Sequence, residues 1–115
     1  MLTSYQKARD MIIEYLRYQL KDETLCGDFE HAYLQAMAIL RLSPHCLGVE
    51  VSQCKDALTD YIVRIQWDSV SGHIDGFRKS KDFTNFLALV RPYISFMPEM
   101  RHYQVKLASE TSTNT

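Results

Sequence analysis

Between Ile12 and Leu20 the chain reads IIEYLRYQL, with apolar side chains on both alternating faces: Ile13 and Tyr15 on one, Ile12, Leu16, Tyr18 and Leu20 on the other. This density of β-branched and aromatic residues in so short a run predicts a strand covered on both sides. After the polar KDETLCG, Asp28 is suited to an N-cap, and Phe29, Tyr33, Ala36, Met37 and Leu40 recur at helical spacing. The helix they predict ends near Leu42, because Ser43 precedes Pro44 and is pushed out of the α region. CLGVEVSQC, Cys46 to Cys54, then alternates Leu47, Val49 and Val51 against Gly48, Glu50 and Ser52, and YIVRIQW places Tyr61, Val63, Ile65 and Trp67 on one side. These are two strands joined by a hairpin connection. Asp68 or Ser69 can cap a short helix through Gly72 to Phe77, and Ser80 a second with Phe83, Phe86, Leu87 and Val90 inward, stopped at Arg91-Pro92. Met100 to Val105 alternates once more, and LASETSTNT at the end, polar, aperiodic and uncharged apart from Glu110, forms a frayed tail.

The element order is β-α-β-β-α-β, which predicts an α+β, ferredoxin-like fold with a four-stranded antiparallel sheet and both helical layers on one face. Nothing in the chain covers the other face. Since Ile12–Leu20 is apolar on both sides, packing the open face against a second copy removes the most apolar surface from water, at about 25 cal/mol per Å². A homodimer is therefore expected. One domain spans residues 12–105, with an N-terminal extension at 1–11 and a flexible tail at 106–115.

Composition narrows the function classes. The 115 residues are 46% apolar, as a packed core requires, and 13 basic against 14 acidic residues give a net charge of −1. With no cationic excess, nucleic acid is disfavoured as a partner. No window resembles a membrane span or the apolar core of a secretory signal, so the expectation is a soluble, cytoplasmic protein with no membrane partner. Three cysteines, Cys26, Cys46 and Cys54, form no CxxC pair and are expected as reduced thiols.

The run from SPHCLGVEVSQC through YIVRIQWDSVSGHIDGFRKSKDFTNFLALVRPYI to EMRHY, preceded by EYLRYQL, resembles the antibiotic biosynthesis monooxygenase superfamily over roughly residues 12 to 105. The most specific part is a strand ending in Trp67, then Asp68-Ser69, a short helix with His73 and Gly76-Phe77-Arg78, and Ser80-x-x-Phe83. The resemblance implies the dimeric α+β barrel, two ferredoxin-like protomers packed sheet to sheet. It also implies a pocket between the helices and the sheet of each protomer, bringing Trp67, His73, Phe77 and Phe83 to one cavity with part of Ile12–Leu20 as its floor. Characterised members include cofactor-independent oxygenases of phenolic or quinol polycycles, quinol monooxygenases and haem-degrading enzymes. Haem-degrading members carry an axial His one turn past the Phe of S-x-x-F; Leu87 stands there in this chain and cannot donate to iron.

The residues themselves set out the chemistry to look for. His73 and Trp67 are the candidate catalytic residues: an imidazole at the cavity mouth could deprotonate a phenol or quinol so that the anion reacts with O₂, and the indole could stack on an aromatic substrate. A helix-capping His and an ordinary core Trp are the plainer readings. Tyr15, Tyr18, Phe77 and Phe83 are the candidate pocket. Arg17, Glu50 and Arg64, on strands, suit inter-strand or cross-dimer salt bridges better than a substrate-orienting pair, and His45 and His102 are of the same kind. His31, His45, His73 and His102 show no HxH, HxxxH or HExxH spacing, so no metal is expected unless a site is assembled across strands. No glycine-rich phosphate cradle exists, and no cofactor is expected. The favoured function is a cofactor-independent monooxygenase of a quinol or polyphenol. The alternatives are a non-catalytic dimeric domain binding a small aromatic ligand and, lowered by Leu87, a haem-binding or haem-degrading protein.

Overall fold

The computed structural model describes residues 11–109. Strands β1 (Ile12–Gln19), β2 (Cys46–Gln53), β3 (Asp60–Trp67) and β4 (Glu99–Gln104) form one antiparallel sheet in the order β2-β3-β1-β4. Helix α1 (Cys26–Leu40), a wide π turn (Gly72–Phe77) and helix α2 (Lys81–Val90), which tightens into a 3₁₀ segment over Arg91–Phe96, supply the helical layer. This is the ferredoxin-like α+β fold expected from the element order. Residues 1–10 of the expected N-terminal extension and 110–115 of the expected flexible tail lie outside the described residues. Residues 105–109 carry no regular structure. No helix among the described residues is long and apolar enough to cross a membrane.

Strand parity decides which side chains meet the helices. Tyr18 pairs with Tyr61, Leu16 with Val63 and Glu14 with Ile65 across β1 and β3, so these side chains share the helix-facing side. Phe29 of α1 sits at the centre of the core with its ring 4.6 to 5.2 Å from those of Tyr61, Tyr18, Tyr33 and Tyr93. The buried Tyr18 and Tyr33 hydroxyls satisfy each other at 2.5 Å, which removes the cost of burying either alone. On the opposite face Arg17 pairs with Glu99 at 3.4 Å and Arg64 Nε donates to the Tyr15 hydroxyl at 3.4 Å, so these two strand charges find inter-strand partners.

Three local details depart from the sequence pattern. Helix α1 begins at Cys26, ahead of Asp28, because a 3₁₀ turn over Glu23–Leu25 leads into it; Asp22 caps that turn by accepting the Thr24 N–H at 2.9 Å. In β2, Cys46 pairs with Trp67 but Gly48 with Gln66, so Leu47 is the extra residue of a β-bulge. The bulge inverts parity ahead of it, packing Cys46 with Val49 and Val51 against the core and leaving Leu47 half exposed. Pro92 does not end the helical path, since its fixed φ is compatible with the first turn of the 3₁₀ segment.

Candidate active site

The site grows from the end of β3. Trp67 is fully buried, and the chain beyond it turns back over the sheet: the Ser69 hydroxyl accepts the Gly72 N–H at 2.9 Å, and the Arg78 N–H reaches five residues back to the His73 carbonyl at 3.0 Å. That i to i+5 bond makes the turn wide, a form common at functional sites. The turn rests on His45, whose Nδ1 is 2.9 Å from Asp68 Oδ2. Gly72 and Gly76 face this pair so closely that a Cβ at either position would collide with Asp68 or the His45 ring. Close approach, not φ, requires both glycines.

Held in this way, His73 is buried rather than at the cavity mouth, and its ring stacks on the Trp67 indole with centroids 4.5 Å apart and planes 13° apart. Trp67 Nε1 donates to Glu14 Oε1 at 2.9 Å, and His73 Nε2 lies 3.5 Å from the same oxygen. On its other side His73 Nδ1 is 2.7 Å from Nε2 of His102, which stands directly opposite Glu14 in the β1–β4 register. Glu14, His73 and His102 thus form a chain of polar groups running from a buried carboxylate to an exposed imidazole on the edge strand.

Burial raises the Glu14 pKa above its ordinary value, against the lowering effects of the Trp67 hydrogen bond and the Arg78 charge. Burial also pushes His73 down to about 4, helped by the adjoining His102 and Arg78, and lowers His102 with the help of Arg78. His73 is therefore neutral at pH 7, and Glu14 is the more basic group than an ordinary carboxylate would be.

These groups border a cavity of about 180 Å³ between the sheet and the helices, lined by Glu14, Trp67 and His73 at one end and mainly by apolar and aromatic side chains elsewhere. Of the residues singled out from the sequence, Trp67, His73, Phe77, Phe83 and Tyr18 all line it, and so does Leu87. Tyr15 does not. It lies on the opposite sheet face, in a cleft with Arg17, Ile62 and Tyr103, because an offset of three from Tyr18 reverses the side of a strand. One face of the Trp67 ring is covered by His73 and its N–H is taken by Glu14. Glu14 was not among the expected site residues, although a lone carboxylate in step with Leu16 and Tyr18 is the signal for it. His102 was read only as a strand charge. Glu14, His73 and His102 each place one donor atom within 4.8 Å of the other two, an assembly across separate elements of the kind that the histidine spacing left open.

Residues 11–89 match the sequence profile of the family described as antibiotic biosynthesis monooxygenase. The chain belongs to that family. It is 27% identical over 82 residues to the uncharacterised protein YczJ of Bacillus subtilis, covering 71% of this chain and 86% of YczJ. The crystal structure of a candidate antibiotic biosynthesis monooxygenase from Bordetella bronchiseptica superposes with a TM-score of 0.71 at 27% identity, over 85% of this chain and 99% of that one. SnoaB of Streptomyces nogalater, a cofactor-independent oxygenase, superposes with a TM-score of 0.66 over 91% of this chain and 99% of its own, at 13% identity. At that identity the likeness to SnoaB speaks for the fold alone.

Proposed function

We propose that the protein is a cofactor-independent monooxygenase of a small quinol or phenol. The observation that carries the reading is a buried carboxylate, Glu14, clamped by the Trp67 N–H and facing an apolar cavity beside His73. Family membership supports the same class of reaction. A dry cavity of about 150 Å³ accepts benzene, so a volume near 180 Å³ favours one aromatic ring over a polycycle.

In this reading the substrate hydroxyl gives its proton to Glu14, whose raised pKa makes it a better acceptor than an ordinary carboxylate. His73 passes the proton from Nε2 to the Nδ1 side and on to His102, which is exposed and returns it to solvent. The electron-rich anion then reacts with O₂: one oxygen atom enters a ring carbon and the other leaves as water, so that quinol plus O₂ gives hydroxyquinone plus H₂O. Phe77, Phe83 and Tyr18 enclose the ring, and Trp67 holds Glu14 and His73 in place. Covering the outer sheet face, where Ile62 and Tyr103 are exposed, against a second copy completes the proposed assembly, with an expected interface of about 2,000 Å² or more.

O₂ uptake with a series of monocyclic and polycyclic quinols tests the reading. The expected result is turnover confined to the smaller compounds and lowered about 10²-fold in His73→Ala. No uptake above the uncatalysed rate with any quinol would leave a domain that only binds small aromatic ligands.

A further inference from the structure

The sequence offers no metal-binding spacing, yet the fold converges three donor side chains from three elements. Glu14 comes from β1, His102 from the facing position of β4, and His73 from the π turn above them. We infer that Glu14, His73 and His102 form a two-histidine, one-carboxylate site for a divalent first-row transition metal such as Zn²⁺, Co²⁺ or Fe²⁺.

Four observations support the assignment. The donor set, two imidazoles and one carboxylate, is the one these borderline ions take from proteins when part of the coordination sphere is left open. Bonds of about 2.0–2.2 Å put neighbouring ligand atoms about 3–3.4 Å apart; His73 Nδ1 lies 2.7 Å from His102 Nε2 and the other ring nitrogen, Nε2, lies 3.5 Å from Glu14 Oε1, so a single ion uses one of these two contacts and draws the third donor in. With one donor atom from each residue the three lie within 4.8 Å of one another, and the exposed His102 ring is the member free to turn toward the other two. A supporting layer is already present, since the Trp67 N–H orients the carboxylate and the indole face fixes the imidazole plane. Finally, Glu14 and His73 line the cavity together with Arg78, whose positive charge suits an anionic oxygen ligand such as a phenolate. One carboxylate and two neutral imidazoles leave a divalent ion with a net charge of +1, so such a ligand is favoured.

The site does not rest on the oxygenase reading and uses the same three groups, so a bound ion would block the proton path from Glu14 through His73 to His102; metal binding is measured without turnover, and O₂ uptake by the chelator-stripped protein tests the oxygenase reading separately. The test uses the full chain without a histidine tag, stripped with chelator and titrated with Co²⁺ and then Zn²⁺. Cobalt d–d absorption and calorimetry are the readouts. The expected result is one ion per chain, with Zn²⁺ displacing Co²⁺ and quenching the visible bands. His102→Ala, an exposed edge-strand change that leaves the core untouched, should weaken binding at least ~10-fold and alter the cobalt spectrum. Glu14→Gln should weaken it as well, and His31→Ala, on the exposed side of α1, should change neither readout. Absence of saturable binding, wild-type affinity in a His102→Ala protein with a native circular dichroism spectrum, or loss of binding in His31→Ala would each overturn the assignment.

Discussion

The hydrogen bond from Trp67 to Glu14 is the joint of the site, and its strength is open to measurement. Trp67→Phe removes the donor of a 2.9 Å bond to a buried carboxylate, worth about 1.5–3 kcal/mol when the acceptor is charged. The smaller ring also leaves a void of roughly 40 Å³ in a fully buried position, which at about 24 cal/mol per Å³ costs about 1 kcal/mol. The single variant should therefore lose about 2.5–4 kcal/mol of stability. Glu14→Gln keeps an oxygen that can accept the indole N–H but removes the charge, and because burial already disfavours that charge, this variant should be close to wild type at pH 7. With a neutral acceptor the bond is worth only about 0.5–1.5 kcal/mol. Trp67→Phe in the Glu14→Gln background should then cost about 1–1.5 kcal/mol less than in the wild type. Urea unfolding of all four proteins followed by far-ultraviolet circular dichroism gives the cycle, since removing the chain's one tryptophan rules out tryptophan fluorescence as the probe. If the two effects add to within about 0.5 kcal/mol, the bond does not couple Glu14 to Trp67 and the account of how the site is held is wrong.

Two further outcomes are expected from the same core. Tyr18→Phe should cost about 1–3 kcal/mol by leaving the Tyr33 hydroxyl buried without its 2.5 Å partner, while Tyr18→Phe with Tyr33→Phe should regain most of that loss; equal additive losses in chemical denaturation would contradict it. The Tyr18 hydroxyl is pushed up from 10.0 to about 12, first by burial, so the folded state holds its proton more tightly than the unfolded chain does. That contribution to stability is complete below pH 10 and is lost as pH rises from 10 through 12, and thermal melts across this range should show a decline that Tyr18→Phe makes shallower.

How much of this was legible in the chain follows from what kind of information each feature needs. Strand parity and helical spacing are local, so the alternation of Tyr61, Val63, Ile65 and Trp67, the helix carrying Phe29 and Tyr33, and the β-α-β-β-α-β order could all be read directly, and with them the ferredoxin-like sheet. The family resemblance, not local periodicity, implied that Trp67, His73, Phe77 and Phe83 share one cavity, and all four line the one between sheet and helices. Parity also carried information that the Tyr15 assignment overlooked, since Tyr15 and Tyr18 cannot share a strand face. The bulge at Leu47 was hidden, because a one-residue insertion is visible only against the partner strand that it offsets. The polar cluster was hidden for a stronger reason. Glu14, His73 and His102 are distant in sequence, and no spacing rule links them; they meet only because the β1–β4 register sets Glu14 opposite His102 and the π turn, seated on the His45–Asp68 pair, lowers His73 between them. Local periodicity determines which elements form and which faces they bury, whereas the meeting of three donor groups depends on register and packing between elements.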